Sequence, residues 1–201
     1  MDEMTVDLVK GFPADQRDTA AELFWQAFGA KLGKVMRPEA KAHTFLTNVI
    51  DPNFVISAVR SDGVLMGIAG FKTEAGSFVG GELGDLQSVY GWWGGLWRGV
   101  LLSLLERELV EGVLLMDGIV VSDAARGQGI GTRLLDAIKD EAKAQGCTSV
   151  RLDVIDSNPR ARALYERVGF KPGRQSELGV LRHLFGFRSA TEMTSGVGTE
   201  P

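Results

Sequence analysis

The hydrophobic positions of this chain follow two periods, and the period changes at turn-forming residues. Short apolar runs at residues 5–10, 54–59 and 64–71 are typical of β-strands, and Asp62-Gly63 between the last two predicts a hairpin. Between the first two runs, residues 15–28 carry apolar side chains at the helical period, which predicts an amphipathic helix. Pro38 starts a second predicted helix, which ends before Asp51-Pro52.

The second half of the chain alternates strands and helices more regularly. Residues 113–121 form an apolar run that is interrupted by Asp117-Gly118, and a glycine inside a strand pattern predicts a bulge or a close backbone approach. A helix with one apolar face follows from Ile130, and residues 149–155 and 180–187 are predicted strands. Pro159 opens a short helix that ends at Gly169.

The pattern predicts one domain at residues 1–189 and a flexible tail at residues 190–201. The tail is predicted because residues 191–201 are polar and contain glycine, a composition typical of frayed termini. A chain of 201 residues is long enough to bury a hydrophobic core of its own.

Composition narrows the class of protein. A net charge of −4 argues against a nucleic-acid-binding surface. The single cysteine, Cys147, excludes an intramolecular disulfide, and together with the acidic start Met1-Asp2-Glu3 it predicts a cytoplasmic protein. The apolar stretch 89–105 is too short for a membrane span and contains Arg98, so no membrane association is predicted.

The same stretch holds an aromatic cluster, Tyr90, Trp92, Trp93 and Trp97. We expect these rings to pack in the core or to cover a pocket. The alternative is that they line a substrate pocket.

A glycine-rich segment, residues 126–132, lies between a predicted strand and a predicted helix. Glycines allow a tight turn and leave backbone N–H groups uncovered, and the positive end of a helix behind them favours a diphosphate. The segment lacks the Gly-Lys-Ser/Thr ending of a P-loop, because Gly131 is followed by Thr132 and Arg133. A dinucleotide fingerprint would need glycine in place of Thr132, although Asp153 lies at about the expected distance downstream.

The motif Arg126-x-x-Gly129-x-Gly131 resembles the acetyl-CoA loop of the GCN5-related N-acetyltransferase superfamily. A second segment supports the resemblance, because Asn158, Ala163-Leu164-Tyr165-Glu166 and Gly169-Phe170 are similar to that family's downstream signature in order and spacing. The resemblance covers residues 119–170. It implies an α+β fold with a mixed, mostly antiparallel central sheet flanked by helices, and acetyl-CoA as co-substrate.

The resemblance also implies roles for individual residues. The backbone of Ile119, Val120 and Val121 would pair with pantetheine, and an N–H near Val120 or Val121 would stabilise the oxyanion. The diphosphate would lie on the loop, for which the expected residues are Arg126, Gly127, Gln128, Gly129, Ile130, Gly131 and Thr132. Asn158 would hold pantetheine or the following turn, and Tyr165 would protonate the departing thiolate.

The general base has two candidates, Asp117 and Asp153, which lie on the strands at either side of the expected cleft. Each could instead be an ordinary ion-paired carboxylate. His43 and His183 have no partner at metal-ligand spacing, so no metal is predicted.

The predicted activity is acetyl transfer from acetyl-CoA to a primary amine, by direct attack in a ternary complex. The acceptor would be a small molecule or a peptide, and a homodimer is one expectation because such proteins often dimerise. An acyl-CoA sensor without turnover and a nucleotide-dependent oxidoreductase remain as alternatives.

Overall fold

The computed structural model describes residues 5–198 of the chain. Its strands are β1 (Val6–Lys10), β2 (Val55–Arg60), β3 (Leu65–Thr73), β4 (Gly76–Ser77), β5 (Val113–Val121), β6 (Ser149–Ile155), β7 (Lys171–Glu177) and β8 (Ser189–Gly196). Its helices are α1 (Arg17–Met36), α2 (Glu39–Val49), α3 (Leu83–Tyr90), α4 (Trp92–Ser103), α5 (Ile130–Ala144), α6 (Pro159–Arg167) and α7 (Arg182–Phe185).

Within residues 5–198 the strands form one sheet of eight strands in the order β1-β2-β3-β5-β6-β8-β7, with β4 paired to β3. Every pair is antiparallel except β5 with β6, which is parallel. The predicted fold class, a mixed and mostly antiparallel sheet flanked by helices, is confirmed.

The sheet buries one core on each face. On one face α5 supplies Leu134, Leu135 and Ile138, which are fully buried against the strands. On the other face α1, α2 and α7 cover the sheet, and the core there includes Phe24 and Phe185. The apolar face that the sequence predicted for α5 is therefore the face that the structure buries against the sheet.

Most predicted elements of the first half are confirmed. The hairpin at Asp62-Gly63 joins β2 to β3, and Gly63 has the positive φ of 87° that such a turn favours. The first helix is longer than predicted, because α1 continues to Met36.

Two predictions for the C-terminal region are wrong. Residues 180–187 form a short helical segment that contains α7 rather than a strand, because Phe185 and Phe187 turn into the core beside α1. The predicted flexible tail, residues 190–201, is ordered up to 196, because β8 pairs with both β6 and β7 and buries Met193. Residues 199–201 lie outside the described part of the chain.

The segment between β3 and β5 forms the helix pair α3–α4. The two helices pack with their backbones in contact, since a Cβ on Gly95 would lie 2.6 Å from the Gln87 nitrogen. The expectation that the aromatic cluster packs in the core is wrong for its tryptophans, because Trp92, Trp93 and Trp97 are exposed. Tyr90 is half-buried, and its hydroxyl donates to the Met36 carbonyl at 2.6 Å. No helix within the described range 5–198 has the length and apolar character needed to cross a membrane.

Candidate active site

A bulge in β5 marks the centre of the candidate site. Gly118 pairs with Gly70 of β3, whereas the next pair joins Met116 to Phe71, so Asp117 is the extra residue. The bulge was predicted from Asp117-Gly118. Its extra residue shifts the alternation of side chains between the two faces of the sheet. Met116 before it and Ile119 after it both pack in the core under α5.

Glycine is required beside the bulge because an aromatic ring covers it. A Cβ on Gly118 would lie 2.1 Å from Cζ of Phe28 on α1. Phe28 therefore rests on the backbone of β5, and α1 forms the roof over this part of the sheet.

The strands β5 and β6 diverge at this level. Their parallel pairing joins Val113–Leu115 to Ser149–Arg151 and ends there. Beyond this point β5 continues along β3 to Val121, and β6 continues along β8 to Ile155. Within residues 5–198 no strand pairs with the inner edge of β5 after Leu115. The N–H and C=O groups that lie on this edge beyond the bulge, at Ile119–Val121, are therefore available to a ligand. We call this opening the fork.

The glycine-rich loop lies at the wide end of the fork, between β5 and α5. Gly127 and Gly129 have φ of 80° and 76°, and a Cβ at either position would meet nothing within 4 Å. The N–H groups of Gly127, Gln128 and Gly129 donate to no backbone acceptor within residues 5–198. The first turn of α5 adds the N–H groups of Ile130, Gly131 and Thr132, which an α-helix leaves unpaired. The loop thus offers uncovered donors at the positive end of a helix.

The polar side chains of the loop stabilise its conformation and do not occupy the space beside its N–H groups. Arg126 forms an ion pair with Asp123 at 2.7 Å, and Gln128 donates to the Ala124 carbonyl at 3.2 Å. Ile130 is buried under the sheet and anchors the start of α5. Arg126 is half-exposed, so it can turn from Asp123 towards an incoming anion.

The second motif lies at the same edge of the sheet, because α6 follows β6 and parallel strands end together. Asn158 accepts a hydrogen bond from the Ala161 N–H at 3.1 Å and caps α6. A Cβ on Gly131 would meet Leu164 at 3.3 Å, so α6 packs directly on the start of α5. Tyr165 is the next residue and is buried beside Phe170. Burial raises the pKa of its hydroxyl to about 12.

The two carboxylates predicted as base candidates are brought together by an arginine. Arg107 contacts Asp153 on β6 at 3.2 Å and Asp117 on β5 at 3.8 Å. It also donates to the Met116 carbonyl at 3.5 Å. Arg107 therefore bridges the fork where the strands separate.

The environments of the two carboxylates differ. Burial raises the pKa of Asp117 to about 6, and the nearby charges of Arg107 and Lys72 only partly offset this effect. The Asp117 Oδ2 is buried and has no hydrogen-bond partner within the described residues. Asp153 instead holds the shorter ion pair with Arg107. A carboxylate with pKa near 6 is suited to accept a proton at neutral pH.

A lysine completes the charged cluster. Lys31 on α1 lies over the rings of Phe28 and Phe187, at 5.1 and 5.9 Å from their centroids. Burial lowers its pKa to about 8, with a further lowering from Arg107 and an opposite contribution from Asp153.

Sequence reasoning singled out the two aspartates but missed Arg107, Lys31 and Phe28. Arg107 lies in an irregular segment before β5, and Lys31 and Phe28 occupy a helix more than 80 residues upstream of Asp117. No local pattern connects these positions with the fork. Within residues 5–198 there is also no group of three or more His, Cys, Asp or Glu side chains that could hold a metal ion.

Known proteins resemble this chain in sequence. A family model described as "Acetyltransferase (GNAT) family" matches residues 17–170. Thialysine N-epsilon-acetyltransferase from Bos taurus is 36% identical over 62 residues, which are 31% of this chain and 36% of that protein. D-amino-acid N-acetyltransferase HPA3 from Saccharomyces cerevisiae is 28% identical over 149 residues, covering 73% of this chain and 74% of the yeast protein. The matched segment is thus about a third of the length of curated relatives such as the bovine enzyme.

Solved structures share the fold at low sequence identity. A crystal structure described as an acetyltransferase superimposes with a TM-score of 0.62 at 21% identity, covering 96% of this chain and 100% of the other. Phosphinothricin acetyltransferase from Sinorhizobium meliloti, crystallised in complex with AcCoA, gives a TM-score of 0.59 at 16% identity and covers 97% and 90% of the two chains.

Proposed function

Because the chain belongs to the acetyltransferase (GNAT) family, we propose that it transfers the acetyl group of acetyl-CoA to a primary amine at the fork. The observation that carries the proposal is the continuous path from the glycine-rich loop along the free edge of β5 to the two aspartates. Each part of this path supplies a different requirement of acyl transfer.

The loop and the edge of β5 fit the two halves of the cofactor. The uncovered N–H groups at residues 127–132 suit the diphosphate. The distance along β5 from Val121 to Asp117 is about 13 Å at 3.3 Å per residue, which is comparable with an extended pantetheine arm. Pantetheine carries amides that can pair with the free backbone edge at Ile119–Val121, and its thioester would then lie close to Asp117.

The charged cluster supplies proton transfer. The acceptor must lose a proton before its nitrogen attacks the thioester carbonyl, and Asp117 is the better base of the two because Arg107 holds Asp153 more closely. A backbone N–H on the free edge of β5, near Val120, would stabilise the oxyanion. The C–S bond then breaks, Tyr165 gives its proton to the leaving thiolate of CoA, and the second proton that the acylated nitrogen loses returns to the Tyr165 phenolate.

The proposal is tested by binding and by turnover. We expect calorimetry to show binding of acetyl-CoA and not of NAD or NADP, and a panel of primary amines to release free CoA thiol. Binding of acetyl-CoA without thiol release from any amine would favour a sensor, and binding of NAD or NADP alone would favour an oxidoreductase.

Tyr165→Phe should lower kcat by about 10- to 1000-fold, which is at or below the usual contribution of one general acid. The phenol stays protonated through neutral pH because burial raises its pKa to about 12. The ring and its packing on Phe170 are kept, so KM for acetyl-CoA should change little. Thiol release at saturating acceptor measures the effect.

The matched control is Tyr90→Phe, since the chain has two tyrosines. That variant loses the hydrogen bond to the Met36 carbonyl and should lose about 1 kcal/mol of stability with kcat unchanged. A parental kcat for Tyr165→Phe would leave Tyr165 as a core residue only.

Arg107→Met should move the acidic limb of the kcat/KM profile to higher pH. The guanidinium lowers the pKa of Asp117, so its removal raises that pKa above its present value of about 6. We expect a shift of about one pH unit. The groups that remain to lower the pKa of Asp117 are Lys72 and the backbone N–H of Phe78. Arg107→Lys keeps the charge and should keep the limb near pH 6, and an unmoved limb in Arg107→Met would argue against Asp117 as the titrating base.

A further inference from the structure

A cavity of about 510 Å³ lies between α1, α2, α3 and α4. Close-packed proteins contain few voids larger than a water molecule, whereas ligand pockets typically have volumes of about 300–1,000 Å³. The cavity therefore has the size of a small-molecule site. It lies on the α1 face of the sheet and does not include the glycine-rich loop or the free edge of β5.

The walls of the cavity are almost entirely apolar. The four helices contribute residues such as Phe24, Phe45, Leu86 and Leu102. Among the lining residues only Ser103 and Glu106 bring a hydroxyl or a charge, and Glu106 is already paired with Lys72 at 3.4 Å. A second ammonium, a sugar hydroxyl or a carboxylate buried here would find few partners, and an unpaired buried charge is costly.

The cavity and the fork share an aromatic wall. Phe24 lines the cavity and stacks on Phe28, with ring centroids 4.4 Å apart. Phe28 in turn covers Gly118 at the bulge. One pair of rings therefore separates the cavity from the backbone beside Asp117.

Two pairs of consecutive residues also connect the cavity with the charged cluster at the fork. Leu32 lines the cavity, and the preceding Lys31 belongs to the charged cluster. Glu106 lines the cavity, and the following Arg107 bridges the two aspartates. Leu32 and Glu106 on the cavity wall are thus each followed or preceded in the chain by a member of the charged cluster at the fork.

We propose that the cavity binds the apolar body of the acceptor, so that the preferred substrate is a primary amine carrying an alkyl or aryl group of several carbons. The amino group would extend past Phe28 to the carboxylates, and the apolar group would fill the space under α3 and α4. This inference rests on the proposed acetyl transfer. It disfavours polyamines, amino sugars and free amino acids, because the cavity offers their additional polar groups almost no partners.

A series of linear amines tests the inference. Ethylamine, butylamine, hexylamine and octylamine present the same amino group with an increasing apolar length. We expect kcat/KM for thiol release to rise about fourfold per added methylene until the cavity is full, which corresponds to about 0.8 kcal/mol for each buried methylene. The α,ω-diamine with the length of hexylamine should fall well below hexylamine.

A variant that fills the cavity gives the structural control. Gly99→Leu adds a side chain to the cavity wall, where its Cβ would meet Leu83 Cδ1 at 3.0 Å. Leu83 is partly exposed and its tip can move aside. Gly84→Leu is the matched control, because Gly84 is also helical, has nothing within 4 Å of its Cβ and does not line the cavity. Both changes gain similar helix propensity.

Gly99→Leu should remove most of the dependence of kcat/KM on chain length, whereas Gly84→Leu, outside the cavity, should keep the parental slope. A flat series in the parent, or the same slope in both variants, overturns the cavity as the acceptor site. Thiol release in a flat series leaves the proposed acetyl transfer standing. Binding of acetyl-CoA with no thiol release from any amine overturns the proposed transfer and this inference together.

Discussion

Asp117→Asn should lower kcat by about 100- to 10,000-fold, the range expected when a general base is lost. The amide keeps the size of the side chain in the bulge but cannot accept the proton of the amine. The acidic limb expected near pH 6 in the parent should also disappear from the pH profile of kcat/KM, because burial raises the pKa of Asp117 to about 6. CoA affinity should be little changed, since the diphosphate loop is at the other end of the fork. Steady-state thiol release between pH 5 and pH 9 measures both effects.

The same substitution should increase stability while it removes activity. The pKa of Asp117 is about 6 in the folded protein and about 3.9 in an unfolded chain, so the folded state holds a proton that the unfolded state has lost. The contribution of Asp117 to stability is therefore complete below about pH 4 and is lost as the pH rises to about 6. A neutral amide avoids this loss, and we expect Asp117→Asn to gain about 1–3 kcal/mol at pH 8 and almost nothing at pH 4. Denaturant unfolding at the two pH values tests the sign.

Asp153→Asn is the comparison that separates the two carboxylates. Asp153 contacts Arg107 more closely than Asp117 does, so its loss should release Arg107 towards Asp117 and lower the pKa of Asp117. We expect a smaller fall in kcat and an acidic limb below pH 6. The reverse ranking of the two variants would transfer the role of base to Asp153.

Gly129→Val should weaken binding of acetyl-CoA by at least about 100-fold, which is equivalent to losing one or two hydrogen bonds to a charged group. Gly129 has φ of 76°, a conformation that a β-branched residue avoids, and it is the residue that caps α5. Valine would turn the local N–H groups away and place methyl groups in the space that the diphosphate needs. Calorimetric titration with acetyl-CoA measures the loss.

The matched control for this loop is Gly146→Val. Gly146 lies just after the other end of α5, with φ of 74° and nothing within 4 Å of its Cβ. Both variants should lose a similar amount of stability, about 1–2 kcal/mol from the unfavourable φ. Only Gly129→Val should lose CoA affinity. Equal affinities in the two variants would remove the loop from the cofactor site.

The sequence carried enough local information to predict the elements that form the cofactor half of the molecule. The apolar stripe of α5, the start of α6 at Pro159 and the bulge at Asp117-Gly118 depend on neighbours within a few residues, so each appears in the pattern of one short segment. The likeness of residues 119–170 to a known family has the same origin. Because the loop and the turn use backbone groups, a few glycines and one asparagine suffice to mark them.

The predictions from the sequence were wrong where a polar segment pairs with strands that form elsewhere in the chain. Residues 190–196 look like a frayed terminus, yet strands on both sides pair with β8, and a strand inside a sheet needs few apolar residues when only one face is buried. The tryptophans of α4 show the opposite case, because their apolar character predicted burial and their side chains are exposed.

The sequence by itself therefore determined the secondary structure of residues 113–168, the turn at the loop and the two carboxylates from which a base could be chosen. Only the tertiary structure decided how those carboxylates differ. Arg107 arrives from an irregular segment and pairs more closely with Asp153, while α1 covers Asp117 through Phe28 and brings Lys31 to the fork. The cavity beside the fork likewise exists only because α1 and α2 meet α3 and α4, which are distant from them in the chain. Burial and charge act through space over a few ångströms, and the order of residues along a chain does not record those distances.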